Sequence, residues 1–171
     1  FLANAYYMDD RLDDAIAPAR TMLKLSHNAI YAHYLIGSAL LAKADFEGAL
    51  AEFEQEPAEL YELLGLIKLY YDMGEQAKSD ALLQEYIDGC AQEESYEIAL
   101  ALAYRNEADL AFSYLEKAVD KKFDGGLWAL LVNPDLSNLY QDPRWPLLLE
   151  KIGRSPAHNA AIEFDFVPPE Y

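Results

Sequence analysis

The chain has 171 residues, enough for one domain with a substantial core, and its 53% hydrophobic content argues against disorder. Thirty Asp and Glu residues against 13 Lys and Arg residues give a formal net charge of −17. A surface of that sign repels nucleic-acid phosphates and anionic lipid head groups, so we expect this region to bind neither. It attracts basic partners, although a high negative charge also serves solubility.

Cysteine usage and the first residues bear on the origin of the chain. Cys90 is the single cysteine, so no internal disulfide forms. The cysteine count does not determine the cellular compartment, and we expect the cytoplasm. No apolar run is long enough for a membrane span, and no signal peptide is visible. Because the chain opens with Phe1 inside a helical pattern, we expect it to be a piece of a longer protein.

Apolar residues at helical spacing along the first 121 residues predict four successive helical hairpins. Pro18 lies within the second predicted helix, where it removes a backbone donor and favours a kink. Gly74 marks a turn, and Gly89 stops the helix that follows. The hairpins are expected at about 1–28, 29–57, 58–90 and 91–121.

Small and apolar residues recur at matching places in these hairpins. Gly37 and Ala49 predict close packing of two helices, since glycine inside a helix otherwise costs about 1 kcal/mol. The small residue that begins the inner face of each second helix recurs at spacings of 34, 30 and 32 residues, as Ala15, Ala49, Ser79 and Ala111. Four residues later stand Ala19, Phe53, Leu83 and Leu115, and the preceding helices carry Leu2-Ala3, Ile36-Gly37, Leu66-Ile67 and Ile98-Ala99.

A helix-turn-helix unit with a period near 34 resembles the tetratricopeptide repeat (TPR) family. The resemblance covers about 1–121 and implies an all-α, right-handed TPR superhelix, an α-α solenoid of about 3.5 repeats. His33 stands at the family's usual tryptophan, and Ile67 at a place that is usually small. The alternative is a generic helical bundle with chance periodicity.

The region 122–154 departs from the period. Asn133-Pro134 and Asp142-Pro143 each combine a helix N-cap with a proline in the first position, and Gly153 is expected to close the last helix. These features predict a two-helix C-terminal cap over the open end of the solenoid. They are similar to the C-terminal ends of bacterial TPR regulators that carry a winged-helix, nucleotide-cyclase or kinase domain.

The tail, 155–171, alternates apolar and acidic residues. Ile162, Phe164 and Phe166 have a strand-like period of two, which Pro168-Pro169 ends. We expect an extended tail that docks on the repeat surface, in cis or onto a neighbouring molecule. Free disorder is the alternative.

The sequence contains no clear pattern of catalytic, cofactor-binding or metal-binding residues. The three histidines are scattered, Gly125-Gly126 lacks the Lys-Ser/Thr of a phosphate loop, and no nucleophile, base and acid can be matched. We therefore expect no catalytic residue, no cofactor and no metal site. One stretch carries acids without a base and is expected to form a solvated outer face or a docking face: Asp45, Glu47, Glu52, Glu54, Glu56, Glu59 and Glu62.

Tyrosine is the most informative residue type, with 13 in the chain. In TPR proteins the first helix of each pair lines a concave groove, and tyrosine there suits peptide binding. Lys68 is the lone cation expected in the groove, where it meets a ligand carboxylate or backbone carbonyl. The resemblance places these residues in the groove, beside Asn4 and Asp72: Tyr7, Tyr31, Tyr34, Ser38, Tyr61, Lys68, Tyr71 and Tyr96. The alternative is that several of these tyrosines are packing residues.

The resemblance and the groove together predict a non-catalytic scaffold or adaptor. Its expected partner is a peptide or protein segment of basic or aromatic character, and the module is expected to belong to a larger bacterial regulator. Two alternatives stay open at this point. One is a ligand-sensing regulatory domain that controls an attached effector, and the other is a self-association domain that forms a homodimer through the groove or the tail.

Overall fold

The structure is a computed structural model that describes residues 2–90, 95–121 and 129–155. Within these ranges every regular element is a helix, which confirms the all-α expectation. Of the tail expected at 155–171, residues 156–171 lie outside the described residues. The α-helices are α1 Leu2–Met8, α2 Leu12–Leu25, α3 Ala32–Ala42, α4 Phe46–Phe53, α5 Glu59–Asp72, α6 Gln76–Cys90, α7 Ser95–Tyr104, α8 Ala108–Asp120 and α9 Arg144–Lys151, with 3-10 helices at Ala129–Leu131 and Pro134–Leu139.

The first eight α-helices form consecutive hairpins. Each odd-numbered helix packs against the even-numbered helix that follows it, from the pair α1 and α2 to the pair α7 and α8. Each even-numbered helix also contacts the next odd-numbered one, and α1, α3, α5 and α7 contact one another in that order. The first helices of successive hairpins therefore lie side by side and share one face of the array.

The four hairpin turns have the same local structure. Asp10, Ala44, Gly74 and Asn106 have left-handed φ values of 55°, 59°, 74° and 61°. The next residue donates its N–H to a carbonyl five residues earlier, closing the first helix as in a Schellman motif. These bonds run from Arg11 to Tyr6, Asp45 to Leu40, Glu75 to Tyr70 and Glu107 to Leu102, each at 2.9 Å. The spacing of the turns equals that of the small residues in the sequence.

The recurring small residues lie inside the hairpins as predicted. Ala15, Ala49, Ser79 and Ala111 are all buried, so each second helix approaches its first helix closely at that point. The larger residues four positions later are buried too. Pro18 lies inside α2, which continues through it to Leu25.

Phe53 is the reason that α3 needs a glycine. A Cβ added to Gly37 would lie 2.5 Å from the Phe53 ring, and one added to Gly65 would lie 2.3 Å from it. The ring thus fills the space that two glycines leave on neighbouring first helices. Close packing of α3 and α4 at Gly37 and Ala49 was expected from the sequence, but neither the part played by Phe53 nor that of Gly65 was.

The C-terminal region differs from the expected pair of capping helices. Asn133 caps its helix as predicted, with Oδ1 accepting the Asp135 N–H at 3.0 Å, but the helix Pro134–Leu139 is a 3-10 helix. It packs against α7, on the face that the first helices share, whereas α9 packs against α8. Asp142 accepts the Arg144 N–H at 2.9 Å, and Gly153, at φ 68°, follows the end of α9.

The packing at Phe53 predicts that Gly37→Ala and Gly65→Ala each destabilise the chain. A methyl group there must displace a buried ring, which costs about 1–3 kcal/mol. Gly89 provides the matched control: it was expected to stop α6 but lies within that helix, and a Cβ there meets nothing within 4 Å. Gly89→Ala should be neutral or stabilising by up to about 1 kcal/mol. Urea unfolding measures all three, and equal losses at all three positions would contradict the packing explanation.

Candidate functional site

Three tyrosines at the start of α3 and α5 form one aromatic cluster. The ring centroids of Tyr31 and Tyr34 are 5.1 Å apart, those of Tyr31 and Tyr61 are 4.7 Å apart, and those of Tyr34 and Tyr61 are 5.6 Å apart. They meet because α3 and α5 are adjacent first helices. Tyr34 is buried, whereas Tyr31 and Tyr61 retain some exposure. We call the side of the helical array formed by these three tyrosines and by Lys68, Tyr71 and Tyr104 the tyrosine face.

Lys68 lies at the centre of the tyrosine face with no exposed surface. Its Nζ donates to the Tyr34 hydroxyl at 3.0 Å and to Asp135 Oδ2 at 2.9 Å. The same ammonium lies over the rings of Tyr34 and Tyr104, at 5.0 and 5.2 Å from their centroids. Burial, the largest single influence, lowers the pKa of Lys68, but the Asp135 carboxylate together with the nearby Tyr7 and Tyr104 phenols outweighs it and the pKa is raised. Lys68 is therefore a buried, fully charged ammonium.

The carboxylate that pairs with Lys68 comes from the 3-10 helix Pro134–Leu139. Asn133 holds the start of that helix, since its side-chain amide donates to the Tyr96 hydroxyl at 3.3 Å while its oxygen caps Asp135. Tyr140 donates its hydroxyl to the Asn133 carbonyl at 3.1 Å. The aspartate is thus positioned by groups on both sides of it along the chain.

Further contacts hold the other end of this helix on α7. The Asn138 amide donates to the Ala103 carbonyl at 2.6 Å and to Asn106 Oδ1 at 3.0 Å. Leu136 and Leu139 are buried in the main core. The segment 133–139 therefore occupies the tyrosine face through one ion pair, several amide hydrogen bonds and two leucines.

Glu56 determines how α3 begins. Its carboxylate accepts the N–H groups of Tyr31 at 2.9 Å and Tyr34 at 3.1 Å, so it caps the positive end of that helix. Tyr31 has a left-handed φ of 73°, an uncommon conformation for an aromatic residue. The cap holds Tyr31 there and directs its ring toward Tyr61. Sequence analysis placed Glu56 on a solvated or docking face, whereas Glu56 is buried.

Burial raises the pKa values of the phenols around this site. The pKa of Tyr34 is well above its usual value because the ring is buried and because Asp135 adds negative charge. Burial also raises the pKa values of Tyr7 and Tyr31. The same cause raises those of Tyr96 and Tyr104. These hydroxyls stay neutral over the physiological pH range.

The structure brings most of the predicted groove residues together but closes the groove around them. Tyr71 reaches the cluster through Tyr104, at 6.4 Å between ring centroids. Tyr96 joins it through Asn133, and Tyr7 is close enough for Lys68 and Asp135 to affect its pKa. The expectation of an open groove is not met for Tyr34, Ser38, Lys68 and Tyr96, all of which are buried. Lys68 meets a carboxylate as expected, but the carboxylate belongs to this chain.

Several residues of the site were not identified from sequence. Tyr104, whose hydroxyl donates to Asp72 at 2.6 Å, is one of them. Asp135, the partner of Lys68, is another. The sequence offered one signal for Asp135, because Leu136 and Leu139 follow it at helical spacing. An apolar pair beside an acid on a short helix indicates a segment with a face to bury.

Within the described ranges neither a metal site nor a membrane span is found. No group of three or more His, Cys, Asp or Glu side chains there could hold a metal ion. None of the helices in the described part of the chain has the length and apolar character needed to cross a bilayer.

Comparison with known proteins returns no match: no family model, no curated protein and no solved structure aligns significantly with this chain. The function is therefore inferred from the residues of the chain itself.

The ion pair between Lys68 and Asp135 predicts that a single substitution lowers the free energy of unfolding much more than the double substitution does. Lys68→Met leaves a buried carboxylate without its cation and should cost about 3–5 kcal/mol in urea unfolding. Lys68→Met combined with Asp135→Leu removes both charges and should recover most of that loss. Lys43→Met is the control, because Lys43 pairs with the exposed Asp13 and should cost at most about 1 kcal/mol. A double variant as unstable as Lys68→Met would contradict the pairing.

The raised pKa values predict a loss of stability in alkali. Unfolded tyrosines and lysines lose protons near pH 10.0 and 10.5, whereas Tyr34 and Lys68 keep theirs to higher pH when folded. Above about pH 10 the folded chain binds more protons, so the free energy of unfolding falls as pH rises. Thermal melts followed by circular dichroism should show this fall. Tyr34→Phe removes one buried phenol and should make the fall shallower, and a melting temperature unchanged above pH 10 would contradict the prediction.

Proposed function

We propose that this chain is a non-catalytic protein-interaction module that uses the tyrosine face to bind a polypeptide segment. We also propose that its hairpins form a right-handed TPR solenoid of about 3.5 repeats, and that the module belongs to a larger bacterial regulator. Support for the repeat architecture comes from the four equivalent turns and from the buried small residue that follows each of them.

One observation carries the functional proposal: a short segment of the chain itself packs on the tyrosine face. The segment 133–139 lies on it with a side chain bonded to Lys68 and another bonded to Tyr96. Aromatic rings supply broad apolar area with little loss of side-chain entropy, which is why tyrosine is common where peptides bind. Tyr31, Tyr61 and Tyr71 keep some exposed surface, and so can contact a partner.

Charge supports a partner of mixed character. The chain carries a formal net charge of −17, which favours a partner that is neutral or basic over most of its surface. Within the tyrosine face the charged side chain is the Lys68 ammonium, which the Asp135 carboxylate of the segment 133–139 neutralises. A partner with a local acid in an otherwise neutral or basic sequence suits both features.

The proposal predicts which substitutions weaken binding. Peptides selected from a random phage-displayed library on the immobilised chain should lose about 1–2 kcal/mol or more of binding free energy with Tyr61→Ala or Tyr71→Ala. Tyr114→Ala is the matched control, because Tyr114 is a partly exposed tyrosine on the second helix α8. Isothermal titration of each variant with the selected peptides gives the comparison.

Two results would contradict this function. One is that no peptide is selected over the background of an unrelated protein. The other is that Tyr114→Ala weakens binding as much as Tyr61→Ala and Tyr71→Ala. Tyr34 is unsuitable for the test because it is buried, so its truncation would report on folding.

A further inference from the structure

The residues that hold the segment 133–139 on the tyrosine face are contiguous in sequence. Asp135 binds Lys68, and Asn133 binds Tyr96. Asn138 binds the Ala103 carbonyl, and Leu136 and Leu139 enter the core. Because all of these groups lie within seven consecutive residues, a separate linear peptide can present the same set.

The outer side of this segment faces solvent. Pro134, Ser137 and Asn138 are exposed, so other described elements leave that side uncovered. A 3-10 helix of six residues also has poorer hydrogen-bond geometry than an α-helix. Its own backbone therefore contributes little to keeping it in place, and the side-chain contacts with the tyrosine face do most of the holding.

The buried ammonium restricts what can replace the segment. Lys68 is fully buried while the segment covers it, and when Asp135 leaves, the ammonium loses its carboxylate partner. A replacement that covers Lys68 again without supplying a carboxylate buries an unpaired charge, which is strongly unfavourable. A replacement that brings another carboxylate to Lys68 keeps the buried charges balanced. A replacement without a carboxylate leaves the ammonium unpaired, so the site selects against it.

From this geometry we infer that the partner of the tyrosine face is a short turn or helical segment that presents an aspartate to Lys68 and displaces the segment 133–139. The inference rests on the proposed function and adds the chemistry of the partner. The segment 133–139 acts as an internal ligand, and its side chains describe the external one: an aspartate, followed at the next position by a leucine and three residues later by a second leucine.

The test uses two blocked peptides with the sequence of residues 132–140, VNPDLSNLY, one with the natural aspartate and one with asparagine in its place. The protein is the full chain, as wild type and as Asp135→Asn, which keeps the shape of the side chain but removes its charge. In the wild type the segment 133–139 competes with the peptide for the tyrosine face, and Asp135→Asn weakens that competition. Because apparent affinity scales with the fraction of open sites, the variant should bind the aspartate peptide more tightly.

Fluorescence anisotropy should show at least about tenfold tighter binding of the aspartate peptide to Asp135→Asn than to wild type, and little binding of the asparagine peptide. The aspartate peptide should also raise the melting temperature of Asp135→Asn. Equal affinity of the two peptides would overturn the inference, as would equal affinity of the aspartate peptide for both proteins.

A second measurement on the wild-type chain alone covers the case in which Asp135→Asn does not fold. Hydrogen exchange should be faster at the Leu136 amide, which bonds to the Asn133 carbonyl at 3.1 Å, than at the amides of α7. If the Leu136 amide exchanges as slowly as those of α7, the segment leaves only on global unfolding and the inference is wrong. Selected peptides that bind the tyrosine face without needing a carboxylate would also overturn it, while leaving the proposed function in place.

Discussion

The buried ammonium of Lys68 is the constraint on which the C-terminal half of the structure depends. An ammonium has three protons to donate and no acceptor of its own, so burial requires partners close by. Tyr34, 34 residues earlier, and Asp135, 67 residues later, supply them. One charge therefore ties the second hairpin, the third hairpin and the segment 133–139 together. It also explains why that segment crosses the face of the first helices and does not extend from the end of the array.

The hairpin array itself depends on local features. Each turn needs one left-handed residue, one small residue five positions later and one carbonyl to close the preceding helix. These features recur at intervals of about 30 to 34 residues. They explain why the turn residues Asp10, Ala44, Gly74 and Asn106 have equivalent conformations. Packing between hairpins is less regular. The Phe53 ring fits between α3 and α5 because Gly37 and Gly65 have no side chain.

Sequence patterns predicted the local features well and the long-range contacts poorly. The helical hairpins followed from periodicity, and Asn133 and Gly153 were recognised as helix boundaries from their residue types alone. The tyrosines and Lys68 were assigned to one side of the array, where the structure brings them together. That Tyr34 and Tyr96 are buried was left as an alternative, and the burial of Lys68 was not predicted, because it depends on a residue 67 positions further along the chain, where the periodicity is lost. Glu56 was assigned to an outer face for a similar reason, since its partners are backbone amides of a neighbouring helix.

The ion pair also bears on why the segment 133–139 binds in a single register. A buried pair of charges adds little stability compared with apolar residues of similar size, because removing both ions from water is costly. Its effect on specificity is larger. A shift of the segment by one residue would place Pro134 or Leu136 opposite Lys68 and leave the ammonium without its carboxylate. The leucines alone would tolerate such a shift, since apolar contacts have little directionality. The hypothesis that follows is that Lys68 is retained in the core to select the position and identity of the segment that it binds.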